Sequence, residues 1–165
     1  MKHPYDIVII GGGMVGATLG CALGGSPLRV AVVEGEFPPA FSPDQPPDLR
    51  VSAVSIASAS IFNVIGAWQG ISSRRCCPFR RMRVWEDTGD VEFRSQDIHE
   101  SVLGYIVENR IIQLALLERL AAFDNVDLLC PANSRDIDYA AGGSTLSLDD
   151  GTSIGGRLVD PIDFT

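Results

Sequence analysis

The stretch Tyr5-Asp6-Ile7-Val8-Ile9-Ile10-Gly11-Gly12-Gly13-Met14-Val15-Gly16-Ala17 decides the fold. A short apolar run rich in β-branched residues stops at three consecutive glycines, and the residues that follow, to about Leu23, are small or apolar and free of proline. Such a run suits a central parallel strand covered on both faces, so Tyr5 to Ile10 is predicted as a strand and Met14 to Leu23 as a helix. Gly16, Ala17 and Gly20 carry almost no bulk, so the helix is expected to lie close to the sheet, and Gly24-Gly25 to end it. Leu28 to Val33 is a second β-branched run. Residues 5–33 therefore read as a βαβ unit, whose crossover is right-handed in nearly all proteins.

Gly11-Gly12-Gly13-Met14-Val15-Gly16 satisfies G-x-G-x-x-G. The pattern alone is weak, but here it follows a predicted strand and opens a predicted helix, as its mechanism requires. Gly11 permits the tight turn, Gly13 lets the backbone approach a pyrophosphate, and Gly16 lets the helix pack on the strand. The helix N-terminus offers unpaired N–H groups and a partial positive charge to phosphates. Glu34 ends the second strand 23 residues after Gly11, close to the ~20 expected. A carboxylate there accepts from both ribose hydroxyls of an adenosine and repels a 2′-phosphate, which favours FAD or NAD over NADP. The alternative is a solvated glutamate beside a purely structural turn.

Beyond Glu34 the texture changes. Phe37 to Pro47 holds five prolines and reads as a loop. Arg50 follows in Asp48-Leu49-Arg50-Val51-Ser52-Ala53, and is either a surface arginine or a guanidinium that pairs with phosphate or ribose oxygens. A helix is predicted from near Ser55, with Ile56, Ala59, Ile61, Phe62, Val64 and Ile65 as its apolar face. Phe79 to Glu86 and Val91 to Arg94 read as strands joined by the turn Asp87-Thr88-Gly89-Asp90. Gly104 to Glu108 reads as extended, leading to Asn109 as N-cap of a helix that carries Ile111, Ile112, Leu114, Ala115, Leu117, Leu120 and Ala121. Val126 to Leu129 reads as a buried strand, and Thr145 to Leu148 with Ser153 to Val159 as a hairpin. The order is that of an α/β domain with an antiparallel insertion.

Composition sets the outer bounds. A chain of 165 residues suits one domain with a real core. Its 21 acidic and 13 basic residues give a net charge of −8, the wrong sign for a general nucleic-acid binder. The longest apolar run falls short of the ~20 residues that cross a bilayer. Cys21, Cys76, Cys77 and Cys130 show no C-x-x-C spacing and the chain opens without an export or import leader, so a reduced, cytoplasmic compartment is expected. His3 and His99 are the only histidines; without a matching Cys or carboxylate cluster, no metal site is expected. Arg74, Arg75, Arg80, Arg81 and Arg83 crowd ten residues. They read first as a solvated edge that blunts strand pairing, and second as a docking surface for anionic lipid or a partner subunit.

Five separated segments, in order, resemble one family: the strand and GGGMVGA loop, Arg50-Val51-Ser52, Ile65-Gly66-Ala67-Trp68, Met82-Arg83-Val84-Trp85, and Gly104-Tyr105-Ile106-Val107-Glu108-Asn109. The chain resembles the ubiquinone-biosynthesis hydroxylases, within the class A flavoprotein monooxygenases typified by para-hydroxybenzoate hydroxylase, from about Tyr5 to Val159. The resemblance implies a Rossmann-like FAD-binding βαβ domain with an antiparallel β insertion. It implies that Gly11, Gly13 and Gly16 hold the FAD pyrophosphate, Glu34 the adenosine ribose, Arg50 the cofactor after the long loop, and Asn109 the FAD phosphate region. The implied chemistry is reduction of flavin by NAD(P)H, addition of O2 to form a C4a-hydroperoxide, and oxygen transfer to a small-molecule polyprenylated phenol. The implied setting is cytoplasmic, with peripheral contact to the membrane or to a biosynthetic complex.

After Val159 the family continues with Gly-Ala-Asp-Gly, where this sequence has Asp160-Pro161-Ile162-Asp163-Phe164-Thr165. Asp160 and Asp163 are therefore not taken as site residues. The family's later Gly-Asp segment and substrate sheet have no counterpart, so residues 1–165 are expected to be the N-terminal part of an FAD-binding domain, truncated before the substrate domain. The second reading is a non-catalytic module that holds FAD or ADP.

Overall fold

The computed structural model describes residues 4–162, so His3 and residues 163–165 lie outside the described residues. In chain order the elements are β1 (Tyr5–Ile10), α1 (Met14–Leu23), β2 (Val30–Val33), β3 (Val51–Ser55), α2 (Ile56–Val64), α3 (Trp68–Ser72), β4 (Cys76–Phe79) and β5 (Arg81–Glu86). They continue with β6 (Gly89–Arg94), a 3-10 turn (Ser95–Ile98), β7 (Gly104–Glu108), α4 (Asn109–Leu120), β8 (Val126–Leu129), β9 (Ser134–Ala140), β10 (Gly143–Leu148) and β11 (Ser153–Pro161). The chain divides into two compact units, Met1–Ala40 with Gln113–Thr165, and Phe41–Ile112.

The first unit is built on a sheet in the order β8-β2-β1-β11-β10-β9. β8, β2, β1 and β11 run parallel, and β11, β10 and β9 form an antiparallel meander. Side chains alternate across the strands, and the two faces of β1 serve different layers. Val8 and Ile10 join Ala31, Val33, Leu146, Leu148, Ile154 and Val159 in one buried cluster. Ile9 and Val32 face α1, where Gly16 and Gly20 lie so close that a Cβ at Gly20 would stand 2.9 Å from Val32 Cγ2 and 2.8 Å from Leu120 Cδ2. The expectation that small residues draw α1 onto the sheet is met. Each fully buried valine or isoleucine of these strands contributes ~1.5–3 kcal/mol.

Two local differences from the sequence reading have physical causes. The second strand starts at Val30 instead of Leu28 because Asn125 captures the preceding turn: its Nδ2 donates to the carbonyls of Leu23 (3.1 Å) and Leu28 (2.9 Å), and its Oδ1 accepts from Gly25 N (2.7 Å). The predicted hairpin gains a third strand, β9, with only Ile137 half-buried among exposed neighbours, so its sequence carries almost no alternation.

The second unit holds a three-stranded antiparallel sheet, β3-β7-β4, and a separate hairpin of β5 with β6. Ser55 caps α2 by accepting from Ser58 N (3.1 Å), as the helix start near Ser55 requires. The buried face of α2 is narrower than expected: Ala59, Phe62 and Ile65 are buried, whereas Ile61 and Val64 are 52% and 84% exposed. The single strand predicted over residues 79–86 is two strands broken at Arg80, whose carbonyl accepts from Ser95 N at 3.0 Å. Pro78 is tolerated because β4 is an edge strand, paired only with β7. Trp68 meets Tyr105 edge to face at 4.9 Å and seats α3 on β7.

Packing in the first unit can be checked through its thiols. Cys21 is buried on α1, donates to Leu116 O at 3.5 Å, and burial pushes its thiol pKa up to about 11. A thiol stays protonated and unreactive below its pKa, so a thiol reagent at pH 8 is expected to label exposed Cys77 in the native protein and Cys21 only after unfolding. Rapid native labelling of Cys21, read by peptide mass, would contradict the placement of α1 against the 113–120 part of α4.

Candidate dinucleotide-binding site

The glycines of the loop divide into two classes. Gly11 has φ +103°, and a Cβ there would stand 2.9 Å from Ile162 O; its N–H donates to Val33 O (2.8 Å) and so ties the end of β1 to β2. At Gly16 a Cβ would lie 1.9 Å from the carbonyl oxygen of Gly11. These two residues are required by the fold itself. Gly13 differs: its backbone is extended at φ −68°, which any residue adopts, and a Cβ would meet nothing within 4 Å. The loop is therefore open where a ligand would approach.

Gly13 caps α1 without a side chain, and the first turn holds no acidic residue. The leading N–H groups of a helix have no intrahelical acceptor, so α1 presents donors and a positive dipole end with no acidic residue in its own first turn. These features fit a pyrophosphate.

Gly12, an unspecified position of the motif, is the best-tied residue of the loop. Its N–H donates to Glu34 Oε2 at 2.6 Å and its carbonyl accepts from Gln113 Nε2 at 3.1 Å. A Cβ at Gly12 would stand 2.8 Å from Glu34 Cβ, so the middle one of the three consecutive glycines is also needed. Glu34 is half-buried, and its backbone is fixed by Leu129 O (3.0 Å) and Ala132 N (2.8 Å). Its Oε1 accepts from Glu36 N at 3.4 Å. A carboxylate has about four acceptor positions, so Glu34 keeps capacity for a ribose while holding the loop.

The first unit thus brings together Gly11, Gly13, Gly16 and Glu34 and adds Gly12 and Gln113. In the second unit, the register of β3 on β7 pairs Val51 with Glu108 and sets Arg50 beside Asn109. Asn109 N donates to Arg50 O at 3.0 Å, and Ser52 Oγ donates to Asn109 Oδ1 at 2.7 Å. The expected N-cap role of Asn109 is corrected: Asn109 is the first residue of α4, and its side chain is held by Ser52. Arg50 is exposed, and its guanidinium has no hydrogen bond or ion pair among the described residues.

The arginine cluster separates into parts. On β5, Arg81 pairs with Glu92 at 2.6 Å and Arg83 with Asp90, both across the hairpin and with the guanidinium side chains exposed. These fit a solvated edge. Arg75 does not, being 29% exposed and bonded to buried Glu108 at 3.1 Å. His99 occupies a left-handed turn at φ 56° on the surface.

No family model matches the chain. Among curated proteins, it is 37% identical to 3-demethoxyubiquinol 3-hydroxylase of Escherichia coli (strain K12), over 96% of this chain and 41% of that protein. It is 35% identical to ubiquinone hydroxylase UbiL of Rhodospirillum rubrum (93% and 36%), and 34% identical to the mitochondrial ubiquinone biosynthesis monooxygenase COQ6 of Rattus norvegicus (84% and 30%). The chain therefore spans about two fifths or less of the curated relatives it matches. Among solved structures, p-nitrophenol 4-monooxygenase PnpA of Pseudomonas putida DLL-E4 superimposes with TM-score 0.71 at 19% identity, over 99% of this chain and 41% of that one. PqsL of Pseudomonas aeruginosa, described as a probable FAD-dependent monooxygenase, gives TM-score 0.67 at 19% identity over 94% and 41%. These two likenesses establish a shared fold.

The division of the glycines is testable by chemical denaturation. Gly16→Ala is expected to cost ~3 kcal/mol or more, because backbone must move to admit the methyl group, while Gly13→Ala is expected to cost no more than ~1 kcal/mol, the preference for glycine over alanine at an N-cap. Equal costs at the two positions would contradict the assignment.

Proposed function

Because the chain is a relative of the ubiquinone-biosynthesis hydroxylases, matching them over part of their length, we propose that it is the FAD-binding portion of a flavoprotein monooxygenase. The reaction assigned to the whole protein is hydroxylation of a polyprenylated phenol with NAD(P)H and O2. Residues 1–165 correspond in this reading to the N-terminal, cofactor-binding part of those longer proteins. The observation that carries the assignment is the open space over Gly13, next to the Gly12–Glu34 contact, at the start of α1 where no side chain caps the helix.

Gly11 and Gly16 set the shape of the loop, Gly13 leaves room for the pyrophosphate, and the first N–H groups of α1 donate to its oxygens. The acceptor capacity left on Glu34 takes the adenosine ribose hydroxyls. Arg50 offers an exposed guanidinium to FAD oxygens. Asn109, with Oδ1 held by Ser52, has its Nδ2 amide left to donate to the phosphate region. FAD, when bound, supplies the redox chemistry, and the protein supplies binding, orientation and shielding from water.

Among the described residues no helix is long and apolar enough to cross a membrane. A cytoplasmic protein with peripheral contact to the membrane or to a biosynthetic complex suits a polyprenylated substrate. Support for such a surface comes from one face of the β5–β6 hairpin, where Met82, Val84, Val91 and Phe93 are exposed together. The second reading is a non-catalytic module that holds FAD or ADP.

Reconstitution separates these outcomes. Purified chain titrated with FAD is expected to turn yellow. Glu34→Ala should weaken binding by ~1–3 kcal/mol, and Gly13→Val should abolish it. Unchanged affinity in both variants would refute the site. Phenol-dependent oxidation of NAD(P)H by the loaded protein would remove the second reading, whereas FAD uptake without it would favour that reading for this chain.

A further inference from the structure

We propose that Glu108 is a positioning residue that presents Arg50 to the cofactor, by clamping the 41–48 segment; the ligand half of this inference rests on the assignment of Arg50 to FAD. Glu108 closes β7 and is 4% exposed. Its Oε2 accepts from Asp48 N at 2.9 Å, its Oε1 from Arg75 Nη1 at 3.1 Å, and Arg110 Nη2 stands 3.8 Å from Oε2. A buried carboxylate persists only when paired in this way.

Both arginines then reach back to the same stretch of chain. Arg75 Nη2 donates to the carbonyls of Pro43 (3.3 Å) and Gln45 (2.8 Å), and its guanidinium lies 5.3 Å from the centre of the Phe41 ring. Arg110 Nη1 donates to Gln45 Oε1 at 3.4 Å, and its Nε lies 3.2 Å from Asp48 Oδ2, outside hydrogen-bond alignment. One acid therefore gathers two guanidinium groups and one backbone N–H, all of which meet residues 41–48.

The composition of that segment explains why a side-chain clamp is needed. Pro43, Pro46 and Pro47 lack an N–H, so the segment cannot be held by a regular strand ladder. Ser42 O accepts from the backbone N–H of Gln45 (3.2 Å), and the carbonyls of Pro43 and Gln45 accept from Arg75. Two residues beyond Asp48 the chain reaches Arg50, whose carbonyl is fixed by Asn109 N next to Glu108, while its guanidinium is left exposed. The clamp fixes the approach to Arg50 without occupying the group that would meet a ligand.

The test combines Glu108→Gln, Arg75→Gln and Arg50→Gln in the full chain, with amide hydrogen exchange and FAD titration as readouts. Glu108→Gln and Arg75→Gln are each expected to raise exchange in residues 41–49 at least tenfold, with β1 and β8 unchanged. Each should weaken FAD binding by about tenfold, the scale of one charge-assisted contact. Once Arg50 is already Gln, Glu108→Gln should add no further loss. A purely structural role predicts additive losses, and additivity would overturn the proposal, as would unchanged exchange in 41–49. Absence of FAD uptake by the parent protein would instead sink the assignment of the site, while the exchange data would still decide whether Glu108 holds the segment.

Discussion

No side-chain atom can stand between the carbonyl of Gly11 and the Cα of Gly16, where a Cβ would approach to 1.9 Å. Much of the first unit depends on that closeness. It turns the chain sharply from β1 into α1, and aims the start of the helix at the space over Gly13. It also keeps α1 low enough for Gly20 to meet Val32 and Leu120. Relaxing the contact by even one methyl group would lift the helix and separate its N-terminal donors from the Glu34 carboxylate.

The two units are held by different physics. In the first, strands buried on both faces carry the stability, and the polar contacts of Gly12 with Glu34 and Gln113 shape one loop. In the second, the 41–48 segment is organised by a buried carboxylate and two guanidinium groups. Such a network confers a defined geometry more than net stability, since desolvation offsets much of the Coulomb attraction. That suits a segment whose task is to place a single exposed arginine.

How much was legible in the sequence follows from the same contrast. β1, α1, β2, the glycine motif and Glu34 announce themselves because their signals are local: a β-branched run, three glycines, and a carboxylate at a fixed distance. β3 and β9 hold one buried and one half-buried residue of note, Val54 and Ile137, so ladder hydrogen bonds define them and no apolar alternation does. Gln113 and Glu108 were invisible for another reason, since their partners Gly12 and Asp48 lie 101 and 60 residues away. Asn109 carried a true signal for the start of a helix and a misleading one for its side chain, because Ser52 from β3 claims the oxygen first. Arg75 was read with its neighbours as surface charge, and only the fold separates it from Arg81 and Arg83.

The likeness to relatives named for ubiquinone hydroxylation motivates the proposed cofactor site, and the loop geometry says where FAD should meet the chain. Backbone amide shifts of the isotopically labelled chain, followed by NMR as FAD is added, test that most directly. The expected result is that the largest changes fall on the amides of Gly12, Gly13, Met14 and Val15 and are lost in Gly13→Val. Changes confined to other segments, or persisting undiminished in that variant, would contradict the assignment of the glycine loop as the dinucleotide site.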